Sequence, residues 1–356
     1  MKIIITAPSL NTTQNVSGIS SVVQFIIKTN SAHQYIHFLL GKKDDEKRNI
    51  RWLLRIIKVY VKWTYLMITS KNAIIHFNLA VDRNAVLRDI PLILIARVLR
   101  KRMVYHLHGG EFSLDNKMPV WMKNILKFVF SAKNPKIVLS QLDKEYFKAQ
   151  FNCDQVFVLA NCINLDEASQ FNRDITKYEM PVLLFMGRIS LNKGIEYIFL
   201  ALESLQKQHQ NFKFILAGKG PDMAVYVKKF TELLGTNFTY AGVVSGVQKT
   251  ELLKNCNVFL LPSFFEGLPI ALLESMSFGL VPITTNVGSI GNLVENNSNG
   301  ILVNKYSSAE IVTAIQRISA NKEYNQKLST NARQYIFNNY DPTKYIAQLN
   351  EIYNYE

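Results

Sequence analysis

The chain has 356 residues, 48% hydrophobic and 19% charged, which excludes a disordered or fibrous protein and leaves room for two domains with separate cores. Three cysteines, Cys153, Cys162 and Cys256, form no framework or metal-like spacing and fit a reducing cytoplasm; no apolar run reaches the roughly 18 residues of a membrane span, so a soluble or peripheral protein is expected. The net charge of +14 is one-sided: residues 1–178 carry 26 Lys and Arg against 13 Asp and Glu, residues 179–356 carry 15 against 14, and such a field points to an anionic partner.

In chain order, short strand-like runs occur at KIIITA, QYIHFLL, NAIIHFN, RMVYHLH, KIVLS and QVFVLA, then at VLLFMG, KFILAG, NFTYAG, NVFLLP, VPITT and GILVN. Helical stretches lie between them, among them IEYIFLALESLQKQ and MAVYVKKFTELLG. The apolar run at the N-terminus, MKIIITAPSL, is too short for a signal peptide and reads as a first strand. Strands alternating with helices predict parallel sheets covered on both faces, in two doubly wound α/β domains of six strands each. The polar stretch 161–180 predicts the boundary, giving a first domain over 1–165 and a second over 178–338. The tail 342–356 reads as a terminal helix that crosses back to the first domain.

Open parallel sheets bind ligands beyond the carboxyl ends of their strands, so the candidate residues are those in the loops that follow. After VLLFM come Gly187 and Arg188, then Lys193 and Gly194 opening a helix. After KFILA comes Gly218-Lys219-Gly220-Pro221, which by itself reads as a turn. After NVFLLPS come Glu266, Gly267 and Leu268, with Pro269 placed for a first helical turn and Glu274 in the second. In the first half, Gly18 opens a helix after a polar loop, and His108-Gly109-Gly110-Glu111 follows a strand. His76 reads as a structural histidine.

Glu266 and Glu274, eight residues apart among Leu268, Ile270, Leu272 and Leu273, suit neither a core nor a solvated face. Arg188 and Lys193 supply positive charge for an anion, and helix N-termini at Gly18 and Pro269 add backbone donors. Carboxylates tolerate a phosphate nearby when they accept hydrogen bonds from hydroxyls on either side. A nucleotide sugar, with polyol, diphosphate and ribose in a row, has that layout. No DxD or HExxH-like cluster occurs, so no catalytic metal and no cofactor beyond the sugar-nucleotide co-substrate is expected.

GRISLNKG, AGKGP, LPSFFEGLPIALLESMSFGLVPITTNVGSIGNLV and NGILV together resemble the C-terminal domain of family 4 retaining glycosyltransferases, over most of residues 182–303. The resemblance implies the glycosyltransferase B fold, two Rossmann-like domains facing each other across a cleft. It also implies roles. Arg188 and Lys193 would hold the donor diphosphate, Glu266 the hydroxyls of the transferred sugar, and Glu274 the ribose. The amides at Gly267 and Leu268 would meet the sugar, Gly18 and Gly187 would line the donor site, and His108 would lie beside the anomeric centre. Three places depart from the family pattern: Gly288-Ser289-Ile290-Gly291-Asn292 carries an amide where an acid is common, Asn161-Cys162-Ile163-Asn164 replaces a glycine-containing turn, and Ser17-Gly18 replaces paired glycines. A sugar-nucleotide epimerase of the same fold and a non-catalytic binding protein are the competing classes.

Residues 47–67, KRNIRWLLRIIKVYVKWTYLM, place Arg48, Arg51, Arg55, Lys58 and Lys62 at helical spacing with Trp52 and Trp63 beside them. A basic stripe with flanking tryptophans is the pattern of an interfacial helix, equally that of a packing helix with a solvated face. Arg97, Arg100, Lys101, Arg102 and the stretch WMKNILKFVFSAKNPK add to the basic surface. The resemblance favours an enzyme on the inner face of the cell membrane, acting on lipid-linked glycans of O-antigen, capsule or exopolysaccharide synthesis. No recognition motif for nucleic acid accompanies the charge.

Overall fold

A computed structural model describes residues 1–12, 14–15, 17–41, 50–109, 118–131, 133–174 and 178–355. Arg48, Gly110, Glu111 and the side chain of Arg51 lie outside the described residues. The chain divides into two compact units, Met1–Asn161 with Thr343–Glu356, and Cys162–Pro342.

The first unit holds strands β1 (Lys2–Ala7), β2 (Gln34–Leu39), β3 (Ile74–Leu79), β4 (Met103–Leu107), β5 (Lys136–Val138) and β6 (Val156–Val158). Helices α1 (Gly18–Thr29), α2 (Ile50–Thr69), α3 (Arg83–Val98), α4 (Val120–Phe130) and α5 (Gln141–Phe151) connect them. The second unit holds α6 (Asp166–Ser169), β7 (Val182–Met186), α7 (Ile195–Lys207), β8 (Lys213–Ala217), α8 (Met223–Leu234), β9 (Phe238–Gly242), α9 (Gly246–Asn255) and β10 (Val258–Leu261). It continues through α10 (Ile270–Ser277), β11 (Val281–Thr285), α11 (Ile290–Leu293), β12 (Ile301–Val303), α12 (Ser308–Ala320) and α13 (Lys322–Asn339). The last helix, α14 (Pro342–Asn354), falls with the first unit from Thr343 onward.

Each unit has one all-parallel six-stranded sheet, ordered β2-β1-β3-β4-β5-β6 and β12-β11-β10-β7-β8-β9. All twelve strands expected from the sequence form, several trimmed by a residue or two where the run enters its loop. Central strands such as β3, β4 and β11 are buried along their whole length, so they show no alternation of apolar and solvent-facing residues. Strand order reverses between β1 and β3 in the first unit and between β7 and β10 in the second. Switch points of this kind are where open parallel sheets bind their ligands.

Some basic residues of the expected surface, among them half-buried Arg55 and Lys101, bond backbone carbonyls. Arg55 donates to the Gly41 carbonyl at 3.2 Å, and Trp63 is fully buried with Nε1 donating to the Leu92 carbonyl at 2.9 Å. Lys101 bonds the Ser70 carbonyl at 2.8 Å beyond the end of α2, and Arg102 the Tyr353 carbonyl at 2.7 Å in α14. Helix C-termini leave carbonyls without partners, and these cations supply the donors. What α2 does expose is apolar: Ile50, Leu54, Ile57, Val61, Tyr65 and Ile68, with exposed Lys58 and Lys62 beside them. All three cysteines are free and buried, and among the described residues no helix is long and apolar enough to cross a membrane.

Helix α14 is tied into the first sheet through a buried histidine. His76 on β3 meets the Tyr353 hydroxyl through Nδ1 at 2.6 Å and His106 through Nε2 at 3.1 Å, and both histidines are fully buried. Burial, with a smaller contribution from His108, pushes the His76 imidazole down to about 3, and burial holds His106 well below its ordinary range. An imidazole that is neutral when folded and near pH 6.5 when unfolded stabilises fully above 6.5. That contribution is lost as pH falls from 6.5 toward the folded value, by about 1.4 kcal/mol per pH unit for each proton taken up. At pH 5, unfolding of the wild-type chain should therefore take up about one more proton than unfolding of His76→Gln. Equal uptake, measured by calorimetry in buffers of different ionisation enthalpy, would contradict the buried neutral assignment.

Candidate active site

The second unit's switch point brings the loops after β7 and β10 side by side. After β7, Gly187 N–H donates to the Ala217 carbonyl at 3.0 Å, and the chain passes through half-buried Arg188 into a short 3-10 turn, Leu191–Lys193. Gly194 ends that turn with φ +73°, and a Cβ there would sit 2.1 Å from the Pro262 carbonyl oxygen, so only glycine lets the two loops approach this closely. The Phe264 N–H donates to the Asn192 carbonyl at 3.0 Å and fixes their register.

Glu266 is placed by this junction. Its side chain is 8% exposed, and Oε1 accepts from Lys193 Nζ at 2.6 Å and from Ser263 Oγ at 2.8 Å. Ser263 is itself fully buried with its carbonyl accepting from the Thr285 hydroxyl, so β11 braces the strand end that carries the glutamate. The loop after β11 closes on the same turn: the Ser289 N–H donates to the Gly267 carbonyl at 3.1 Å. A Cβ on Gly288, at φ +53°, would come within 1.9 Å of the Glu266 carbonyl oxygen. Leu268 is buried beneath the loop.

Pro269 takes the N-cap of α10 rather than its first turn, and its carbonyl accepts from Leu272 and Leu273 N–H groups at 3.2 Å. Glu274 follows in the second turn, and Oε1 pairs with Lys249 Nζ from α9 at 2.5 Å. Both glutamates are thus held by lysines in the second unit, one from the β7 loop and one from α9. The Gly218–Pro221 segment is more than a turn: Cβ atoms on Gly218 and Gly220 would lie 1.8 Å from the Gly187 oxygen and 2.1 Å from the Ile189 oxygen. It packs under the β7 loop and supports Arg188.

In the first unit, Gly18 is the first residue of α1 after an N-cap at Ser17, and a Cβ there would meet nothing within 4 Å. Packing does not demand that glycine. His108 follows β4 with its ring 4.0 Å from that of His106, and its Nε2 lies 2.5 Å from Asn78 Oδ1. Burial lowers its pKa. The structure therefore gathers Arg188, Lys193, Glu266, Gly267 and Leu268 at one switch point, with Glu274 along α10, and in the other unit sets Gly18 at the start of α1 and His108 at the end of β4. Among the described residues, no three of His, Cys, Asp and Glu are grouped to hold a metal ion.

Three participants are not legible in the sequence. Ser263 looks like the end of a strand, Lys249 is 25 residues from Glu274 on another helix, and Asn78 reads as one more polar residue at a strand terminus. Only the fold brings each to its partner.

Residues 167–335 match the family of group 1 glycosyl transferases. The match lies in the second unit, and the chain's two parallel six-stranded sheets form the glycosyltransferase B fold. An uncharacterised glycosyltransferase of Methanocaldococcus jannaschii is 28% identical over 247 residues, covering 65% of this chain and 62% of that protein. The alignment thus spans under two thirds of that relative. The UDP-Gal:α-D-GlcNAc-diphosphoundecaprenol α-1,3-galactosyltransferase of Escherichia coli is 25% identical over 267 residues, covering 70% of this chain and 68% of that protein. The fold is similar end to end to Anabaena HepE, solved in complex with UDP and glucose, at 17% identity, full coverage of both chains and a TM-score of 0.76.

Proposed function

We propose that the protein is a retaining, metal-independent glycosyltransferase. It takes a hexose or N-acetylhexosamine from a nucleotide-diphosphate sugar, a UDP-sugar ahead of a GDP-sugar, and places it on a lipid-linked glycan of surface-polysaccharide synthesis. The observation that carries this reading is the nearly buried Glu266 carboxylate, held by Lys193 and Ser263 where the β7 and β10 loops meet. A carboxylate fixed there can accept from sugar hydroxyls, while Lys193 and Arg188 face the diphosphate. The UDP-dependent Escherichia coli relative, which acts on a diphosphoundecaprenol-linked sugar, supports the donor and acceptor classes.

In this mechanism the bond between the anomeric carbon and the leaving phosphate oxygen breaks. The acceptor oxygen bonds to that carbon on the same face, and the acceptor's proton passes to the departing phosphate. Arg188 and Lys193 stabilise the charge that builds on the phosphate. Glu266 orients the sugar through its hydroxyls and Glu274 holds the ribose, each giving up part of its lysine contact to do so. Gly18 and the amides of Gly267 and Leu268 supply backbone donors, and the protein's share is positioning and electrostatics. His108 lies beside the reacting sugar.

The epimerase alternative consumes donor without transferring it. Glu266→Ala should lower transfer by about a hundredfold or more while thermal stability is kept. Wild-type turnover in that variant would refute the site, and donor consumption with no glycosylated product in the wild type would favour the epimerase.

The acceptor side of the proposal rests on the exposed apolar row of α2 with Lys58 and Lys62 beside it. An apolar face edged by lysines suits the surface of an anionic membrane, each lysine adding about 1 kcal/mol. The chain should float with vesicles containing anionic lipid and stay behind with neutral ones. Lys58→Glu with Lys62→Glu should abolish flotation; equal flotation of that variant would remove α2 from the membrane site.

A further inference from the structure

Asn78 sits at the switch point of the first unit and is gripped from β1. Its backbone N–H donates to Thr6 Oγ1 at 3.0 Å, and its side-chain Nδ2 donates to the Thr6 carbonyl at 2.8 Å. A carbonyl only accepts, so the amide cannot be turned around without setting oxygen against oxygen. Its Oδ1 therefore points the other way, to His108 Nε2 at 2.5 Å. That oxygen also only accepts, so the proton in this bond belongs to Nε2.

A neutral imidazole carries one N–H, which leaves the lone pair on Nδ1. The ionisable groups that bear on His108 among the described residues are His106, stacked on it at 4.0 Å, and His76 behind, both kept neutral by burial. None of these neighbours supplies a carboxylate that would favour an imidazolium.

We propose that Asn78 is a positioning residue: it fixes His108 as the neutral Nε2–H tautomer and so presents Nδ1 as an acceptor for a hydroxyl of the sugar substrate. The proposal rests on the reading that His108 lies beside the reacting sugar. A neutral acceptor there has a physical rationale. The anomeric carbon gains positive charge as the phosphate leaves, and an imidazolium next to it would oppose that charge, whereas a lone pair orients a hydroxyl without repulsion.

Long-range proton–nitrogen NMR of the full chain labelled at histidine, with His108→Gln to assign the resonance, reads the tautomer directly. At pH 7 the wild type should show a protonated Nε2 and an unprotonated Nδ1; a protonated Nδ1 overturns the proposal. Asn78→Asp places a carboxylate against the same nitrogen and should hold His108 doubly protonated at pH 7. It should lower kcat by about tenfold or more, leave KM for the donor unchanged, and recover as pH rises. Asn78→Asp with wild-type kcat and a doubly protonated His108 would also overturn it. Should that variant fail to fold, Asn78→Ser, too short to reach Nε2, should give a mixture of tautomers, and an unmixed spectrum counts against Asn78. A wild type that transfers no sugar yet shows the Nε2–H form defeats the transferase reading alone. A wild type that transfers sugar with His108 in the Nδ1–H form defeats this proposal alone.

Discussion

The ion pair between Lys193 and Glu266 is the constraint on which the second unit's site is built. A carboxylate 8% exposed is tolerable only with a cation and a hydroxyl in contact, and the two residues are 73 positions apart in sequence. Their meeting requires β7 beside β10, the strand order to reverse there, and both loops to leave at the same end. Lys193 stays 25% exposed, so the pair is partly screened and can rearrange around a ligand. Loss of either partner leaves the other charge with less water than it needs.

The glycines around the pair serve the same geometry. At Gly194, Gly218, Gly220 and Gly288 an added Cβ would lie about 2 Å from a backbone carbonyl oxygen. The loops therefore stack backbone against backbone, and side chains are kept for the ligand. Gly18 differs, because nothing within 4 Å would meet its Cβ.

Much of this was legible in the sequence because short, largely apolar strand runs alternating with helical periodicity leave few alternatives to parallel sheets. Glu266, Arg188 and Lys193 stood out by position alone, at strand ends in a fold that binds ligands there. What the sequence hid were pairings across long separations. Trp63 has the composition of an interfacial residue, yet it fills the core because its N–H finds the Leu92 carbonyl. Lys101 and Arg102 look like surface charge but bond carbonyls at and beyond helix ends. Asn78 and Lys249 carry no local signature, since their roles exist only through His108 and Glu274.

The central claim is a nucleoside-diphosphate site around Arg188, Lys193 and Glu274, and nucleotide binding tests it most directly. Thermal shift with UDP, GDP, ADP and CMP, each with and without EDTA, is the measurement; a ligand at a hundred times its Kd adds about 2.7 kcal/mol to stability. The account predicts a shift with one diphosphate, UDP first, insensitive to EDTA and lost in Arg188→Ala. A response that disappears with EDTA, or that survives Arg188→Ala unchanged, would contradict it.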